Sequence, residues 1–225
     1  MKVVTYATHS DGTFEQIKNQ VEVLGWGTKW NGFMDKFNGV KQYLDKQSDD
    51  EIVVYIDGFD SLIMKSLDNL EQDFKSLNCK VLFSLDEKSG FSNFVPSFIE
   101  KYFRNRIFGT CRDGVNANSG LYMGYAKYLK IVLEETLRGD SDDDQRNLNR
   151  VCKKFPFLKV DTGNLIFENC SNENQIKQSK AYFVQLPASM NMKRFFRAIQ
   201  DYSKYFIPEI ILLILIIIIS NIFIL

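Results

Sequence analysis

Two carboxylates three residues apart, in Asp57-Gly58-Phe59-Asp60, follow directly on the apolar run Ile52-Val53-Val54-Tyr55-Ile56. A buried strand that delivers acids to its C-terminal end is how open α/β sheets build ligand sites. Oxygen ligands on a short turn suit a hard cation such as Mn²⁺ or Mg²⁺, which in turn holds phosphate oxygens, so the first expectation is a metal-dependent nucleotide site. Taken alone, the pair is equally well a simple turn, because Asp and Gly are common after any strand. A second acidic cluster, Asp142-Asp143-Asp144-Gln145, stands where a helix is predicted to begin. One aspartate there caps the helix and suits its dipole. Three like charges side by side call for a compensating cation or for a sugar with many hydroxyl donors. The stretch Asn116-Ala117-Asn118-Ser119-Gly120 reads by itself as a turn before a strand.

The elements that must position these groups alternate. Strands are predicted over Val3 to Ala7, Ile52 to Ile56, Val81 to Ser84 and Leu121 to Met123. Helices are predicted over Phe14 to Leu24, Leu67 to Leu77, Val95 to Tyr102, Tyr125 to Leu137 and Asp142 to Lys153. Alternation of this kind indicates an α/β fold with a mostly parallel sheet covered by helices. Two loops, Gly25 to Gly32 and Phe108 to Gly120, are rich in glycine and aromatic residues, and such loops at strand ends concentrate binding residues.

Composition limits the chemistry. Lys and Arg together number 28, as do Asp and Glu, so no global basic field argues for nucleic acid. His9 is the one histidine, which rules out a 2-His-1-carboxylate iron centre within these 225 residues and leaves any metal resting mainly on carboxylates. The four cysteines, Cys79, Cys111, Cys152 and Cys170, include no C-x-x-C pair and read as reduced thiols in a cytosolic setting. Ile210 to Leu225 is uncharged and almost wholly apolar, about 24 Å long as a helix. With Lys193, Arg194, Arg197 and Lys204 before it, the expectation is a single-pass C-terminal membrane anchor with the domain facing the cytoplasm. The resulting division is a domain over 1–192, a juxtamembrane helix over 193–206 and a transmembrane tail over 207–225.

In order, Val4-Thr5-Tyr6-Ala7-Thr8, Leu24-Gly25 with Trp30-Asn31-Gly32, Gly39-Val40-Lys41, Tyr55 to Asp60, Leu82-Phe83-Ser84, Asn118-Ser119-Gly120 with Gly124-Tyr125-Ala126, Asp142 to Gln145 and Leu165 to Asn169 follow one pattern. The pattern resembles the glycosyltransferase domain of the procollagen lysyl hydroxylase/glycosyltransferase family, from about Val3 to Asn169. The resemblance implies a GT-A nucleotide-sugar-binding, Rossmann-like fold with a mixed sheet and flanking helices, Mn²⁺, a UDP-glucose or UDP-galactose donor, and transfer to hydroxylysine of a collagen-like protein. By position, Asp57 and Asp60 ligate the metal, Phe59 stacks on uracil, and Tyr6, Thr8, Lys41 and Asn118 belong to the donor pocket. Asp143 and Asp144 match carboxylates needed for transfer, Asp144 foremost. A cytoplasm-facing member of this family fits a large DNA virus that glycosylates its own collagen-like proteins.

Two departures stand against the resemblance. Gln185 falls where the family carries a histidine ligand, and Asp86-Glu87-Lys88-Ser89-Gly90 lacks the family's Cys-Trp-Pro on the acceptor side. They favour an alternative, a catalytically weak relative that binds a nucleotide-sugar or a partner protein at a membrane. A two-metal phosphohydrolase built on the two acidic clusters lacks the histidines that usually accompany such sites.

Overall fold

The computed structural model describes residues 1–86, 97–186, 200–211 and 215–216. Its first half contains strand β1 (Lys2–Tyr6), helix α1 (Phe14–Ile17), β2 (Glu22–Leu24), α2 (Met34–Leu44), β3 (Ile52–Ile56), β4 (Ser61–Ile63), α3 (Leu70–Ser76) and β5 (Val81–Leu85). There follow α4 (Ser97–Phe108), β6 (Ala117–Tyr125), α5 (Ala126–Leu137), α6 (Asp144–Val151), β7 (Leu158–Asp161), β8 (Phe167–Asn169), α7 (Glu173–Gln178) and β9 (Phe183–Gln185). Six strands form the main sheet in the order β2-β1-β3-β6-β5-β7, and β4-β9-β8 form a small second sheet.

The main sheet is mixed, with three of its five strand pairs parallel. β6 runs antiparallel to both β3 and β5, while the other neighbours are parallel. All five residues of β3 are buried, as expected of a strand covered on both faces. Its side chains alternate between two cores. Val53 and Tyr55 face α2, α5 and α6, whereas Ile52, Val54 and Ile56 face α1, α3 and the second sheet. Tyr122 of β6 anchors the first core, its ring stacked on Tyr55 at 4.8 Å and met edge-on by Phe37 of α2.

Several expectations need correction. The helix predicted over Phe14 to Leu24 is a single turn followed by a strand, because Glu22–Leu24 pairs in parallel with β1, with Val23 opposite Thr5. Helix α2 was not anticipated at all, although Phe37, Val40, Tyr43 and Leu44 line its buried face. The short strand at Leu121 to Met123 extends over Ala117–Tyr125, and the start predicted for α4 at Val95 lies outside the described residues. The cysteines are not all reduced. Cys111, ahead of β6, is disulfide-bonded to Cys152 at the end of α6, while Cys79 and Cys170 are buried.

The C-terminal expectation is overturned. Among the described residues no helix is long and apolar enough to cross a membrane, so the single-pass anchor over 207–225 and the cytoplasm-facing placement built on it are not supported. The described helical residues 207–211 include Glu209 and follow a 3-10 turn at Ser203–Phe206. The remaining anchor positions at 212–214 and 217–225, and 193–199 of the expected juxtamembrane helix, lie outside the described residues. The start of this segment packs on the domain. Phe206 meets Phe103 of α4 at 5.0 Å, and the Arg146 guanidinium of α6 lies 3.8 Å from the centre of the Tyr205 ring.

Candidate active site

β3 ends at Ile56, and the chain turns through Asp57 and Asp60 into β4. Gly58 makes the turn feasible, since a Cβ there would stand 3.0 Å from Thr5 Oγ1 and 3.1 Å from Ala7 Cβ. The Asp57 N–H donates to the Gly120 carbonyl of β6 at 2.8 Å, and the Leu186 N–H donates to the Asp60 carbonyl at 2.8 Å. The acid turn is thus tied to the main sheet on one side and to the end of β9 on the other.

The Asp57 carboxylate has three donors around it. Tyr55 donates its hydroxyl to Oδ1 at 3.0 Å, Gln185 donates its amide to Oδ2 at 3.2 Å, and the Lys36 ammonium stands 3.5 Å from Oδ2. The same Gln185 amide nitrogen donates to Asp60 Oδ1 at 2.9 Å. One amide therefore bridges the two acids.

Lys36 was not anticipated. It lies on α2, is 6% exposed, and holds Asp144 Oδ2 at 2.8 Å as well as Asp57. Burial alone would push the lysine down. The charges of Asp144 and Asp57, with Asp60 behind them, override burial and hold it above the ordinary lysine range. A sequence signal existed, because Lys36, Val40 and Leu44 recur every four residues on the apolar face of α2, an unusual place for a lysine. Lys41 is placed elsewhere, paired with Asp45 one helical turn on at 3.0 Å, and the structure does not bring it to the acids.

The two acids at the start of α6 divide their work. Asp143 is the N-cap, its side chain accepting from the Arg146 N–H at 2.8 Å, and it also accepts the Tyr202 hydroxyl at 2.9 Å. Burial, then the charge of Asp144, raises its carboxyl above the usual range. Asp144 is 4% exposed and faces Lys36. Helix α6 is held in register by Asn149, which accepts from the Ala117 N–H and donates to the Ala117 carbonyl as a strand neighbour would. The Cys111–Cys152 bond fixes its far end.

The other expected residues gather at the end of β1. Thr8 Oγ1 lies 3.0 Å from His9 Nδ1, and the His9 ring meets Phe59 at 5.2 Å. Tyr6 meets Trp30 at 6.1 Å, and its ring is hemmed in by Gly25 and Gly39. Trp30 and Phe33 remain exposed and extend the aromatic shelf. Asn118 serves the strand itself, its Oδ1 accepting from the Gly120 N–H at 2.6 Å.

Among the described residues no group of three or more His, Cys, Asp or Glu side chains is placed to hold a metal ion. Asp57 and Asp60 are two hard oxygen donors on one turn, and the buried Gln185 Oε1 beside them has no hydrogen-bond partner. Donors of this type fit a hard divalent cation. Gly120 leaves the space open. A methyl there would stand 2.5 and 2.6 Å from the Gln185 amide nitrogen and oxygen, and 2.8 Å from Asp57 Oδ2.

The family model described as the PLOD GT domain matches residues 1–185. Procollagen-lysine,2-oxoglutarate 5-dioxygenase 2 of Mus musculus is 21% identical over 92% of this chain and 31% of its own length. The Drosophila melanogaster procollagen-lysine,2-oxoglutarate 5-dioxygenase is 26% identical over 79% of this chain and 26% of its own length. The chain thus spans about a third or less of these curated relatives. Among solved structures, a glycosyltransferase involved in the glycosylation of the major capsid of PBCV-1 aligns with TM-score 0.49 and 11% identity, covering 86% of this chain and 95% of that one. The galactosyltransferase LgtC, in complex with donor and acceptor sugar analogs, aligns with TM-score 0.46 and 13% identity over 84% of this chain and 87% of that one. At such scores neither likeness bears on function.

Proposed function

We propose, from the premise that this chain belongs to the PLOD GT domain family, that it is a GT-A-type glycosyltransferase moving glucose or galactose from a UDP-sugar to a hydroxyl acceptor, hydroxylysine of a collagen-like protein. The observation that carries this reading is the meeting of both acidic clusters on one buried lysine, with Lys36 between Asp57 and Asp144. A lysine in that place joins a diphosphate-side acid to a sugar-side acid.

Asp57 and Asp60 would hold the divalent cation, Mn²⁺ in our reading. When bound, that cation neutralises charge building on the departing diphosphate. Phe59 and Tyr6, with Thr8 beside them, offer the aromatic surface for the uracil ring. Asp144, fixed by its ion pair with Lys36, is a positioned acceptor for sugar hydroxyls. Asp143, raised by burial and by the charge of its neighbour, suits taking the acceptor proton.

One observation favours a second reading, binding without turnover: the Tyr202 hydroxyl already occupies an oxygen of Asp143. The two separate in one assay. UDP-glucose and UDP-galactose are offered with a hydroxylysine-containing collagen-like peptide, with and without Mn²⁺, and both UDP release and peptide mass are followed. Metal-dependent gain of one hexose on the peptide, abolished by Asp57→Ala, supports transfer. UDP-sugar binding with no mass gain supports the second reading.

A further inference from the structure

The Gln185 amide makes two bonds and leaves one need unmet. Its nitrogen donates to Asp57 Oδ2 at 3.2 Å and Asp60 Oδ1 at 2.9 Å, while its oxygen, in a side chain 4% exposed, has no hydrogen-bond partner. Carboxylates only accept, so without a cation the amide must turn its NH₂ toward them. An oxygen in that place would face two negative charges. A cation between the carboxylates reverses the preference, because it repels NH₂ and attracts the carbonyl oxygen.

The exchange needs little room. Rotation about the last side-chain torsion swaps amide oxygen and nitrogen, and this torsion is soft. Both atoms already lie over Gly120 at nearly equal distance from where its Cβ would be, 2.5 Å for nitrogen and 2.6 Å for oxygen. The backbone is held still while the side chain turns: Gln185 pairs with Ser61 of β4 on one side and Asn169 of β8 on the other.

We propose that Gln185 is a two-position residue, clamping Asp57 and Asp60 through its nitrogen when no cation is bound and ligating a divalent cation through its oxygen when one is. The inference rests on the proposed function for the presence of that cation. It adds that the protein's donor set is all oxygen, which suits Mg²⁺ and Mn²⁺ and favours Zn²⁺ less than a set with a histidine nitrogen would.

The test reads metal binding directly, without turnover. Mn²⁺ binding to the full chain is titrated by the loss of the free-ion electron paramagnetic resonance signal, with UDP present, and competed with Mg²⁺ and Zn²⁺. Gln185→Ala is expected to weaken Mn²⁺ at least tenfold. Gln185→His is expected to shift the competition toward Zn²⁺ by a similar factor. Thermal melts guard against a misfolded variant: Gln185→Glu, which places a third negative charge on the pair, should melt lower than wild type without metal and gain more from added Mg²⁺. In wild type labelled with ¹⁵N-glutamine, Mg²⁺ should move one side-chain NH₂ resonance and speed its hydrogen exchange. Equal Mn²⁺ affinity in wild type and Gln185→Ala, or an unmoved NH₂ resonance at saturating Mg²⁺, overturns the inference and leaves the proposed function standing. Wild type that binds none of these metals, with or without UDP, overturns both.

Discussion

The Lys36 ammonium lies 2.8 Å from Asp144 Oδ2, bonding a residue of helix α2 to the first residue of helix α6 across the end of the main sheet. Both side chains are more than nine-tenths buried, and Asp57 shares the same ammonium at 3.5 Å. Removing one member of a buried ion pair strands the other, at a cost of about 3–5 kcal/mol. Lys36→Met should therefore lose stability of that order in urea unfolding, and the double variant Lys36→Met, Asp144→Asn should recover part of it. The lysine is raised in the folded state, so its contribution is complete below the ordinary lysine pKa of about 10.4 and is lost only as pH rises through the higher folded value. Wild type and Lys36→Met should converge in stability only under strongly alkaline conditions.

Asp143 carries the opposite sign. Its carboxyl is raised by burial and by Asp144, so its charge costs the fold stability, and that cost appears as pH climbs past the unfolded value of about 3.9. Asn caps a helix as well as Asp does. Asp143→Asn should thus stay within about 1 kcal/mol of wild type at pH 7 in urea unfolding, while losing sugar transfer by about 10²-fold or more if Asp143 takes the acceptor proton.

Tyr202 donates to the charged form of Asp143 and holds its carboxyl down against burial. Tyr202→Phe removes that restraint. The Asp143 carboxyl should then rise further, and the acidic limb of the kcat/KM profile should move to higher pH. A Tyr202→Phe profile superimposable on wild type would show that Asp143 does not govern that limb.

Gly120 gives the acid pair its clearance. A methyl there would press on the Gln185 amide and on Asp57 Oδ2 at 2.8 Å or less. Overpacking of this kind costs about 1–3 kcal/mol. Gly120→Ala should lower the melting temperature and weaken Mn²⁺ binding together, with UDP absent or present.

Phe59 touches only the His9 ring among the aromatic contacts of the described residues, so its truncation should leave the fold nearly unchanged. Stacking of a base on an aromatic side chain is worth about 1–3 kcal/mol. Phe59→Ala should weaken UDP by a matching factor in calorimetry. Retained UDP affinity would remove the uracil from this ring.

Local pattern alone made β3 legible, because five consecutive apolar residues describe a buried strand without reference to any other part of the chain, and it set Asp57 and Asp60 at the end of that strand. The acidic start of α6 was legible for the same reason, since capping is a local interaction. The ordered motifs were sufficient to point to the family. Pattern failed where a role is set by distant neighbours. Glu22–Leu24 is a strand because β1 offers it an edge, and β6 is antiparallel because β3 and β5 lie on either side of it. Cys111 and Cys152, 41 residues apart, meet only once α6 lies against β6. The apolar tail suggested a membrane, and the folded chain shows among its described residues no helix suited to one. Above all, neither Lys36 nor Gln185 declares its partner in the sequence. They become the partners of Asp57 because α2 and β9, far apart along the chain, close over the same strand end, and a half-buried carboxylate takes its donors from whatever the fold brings within reach.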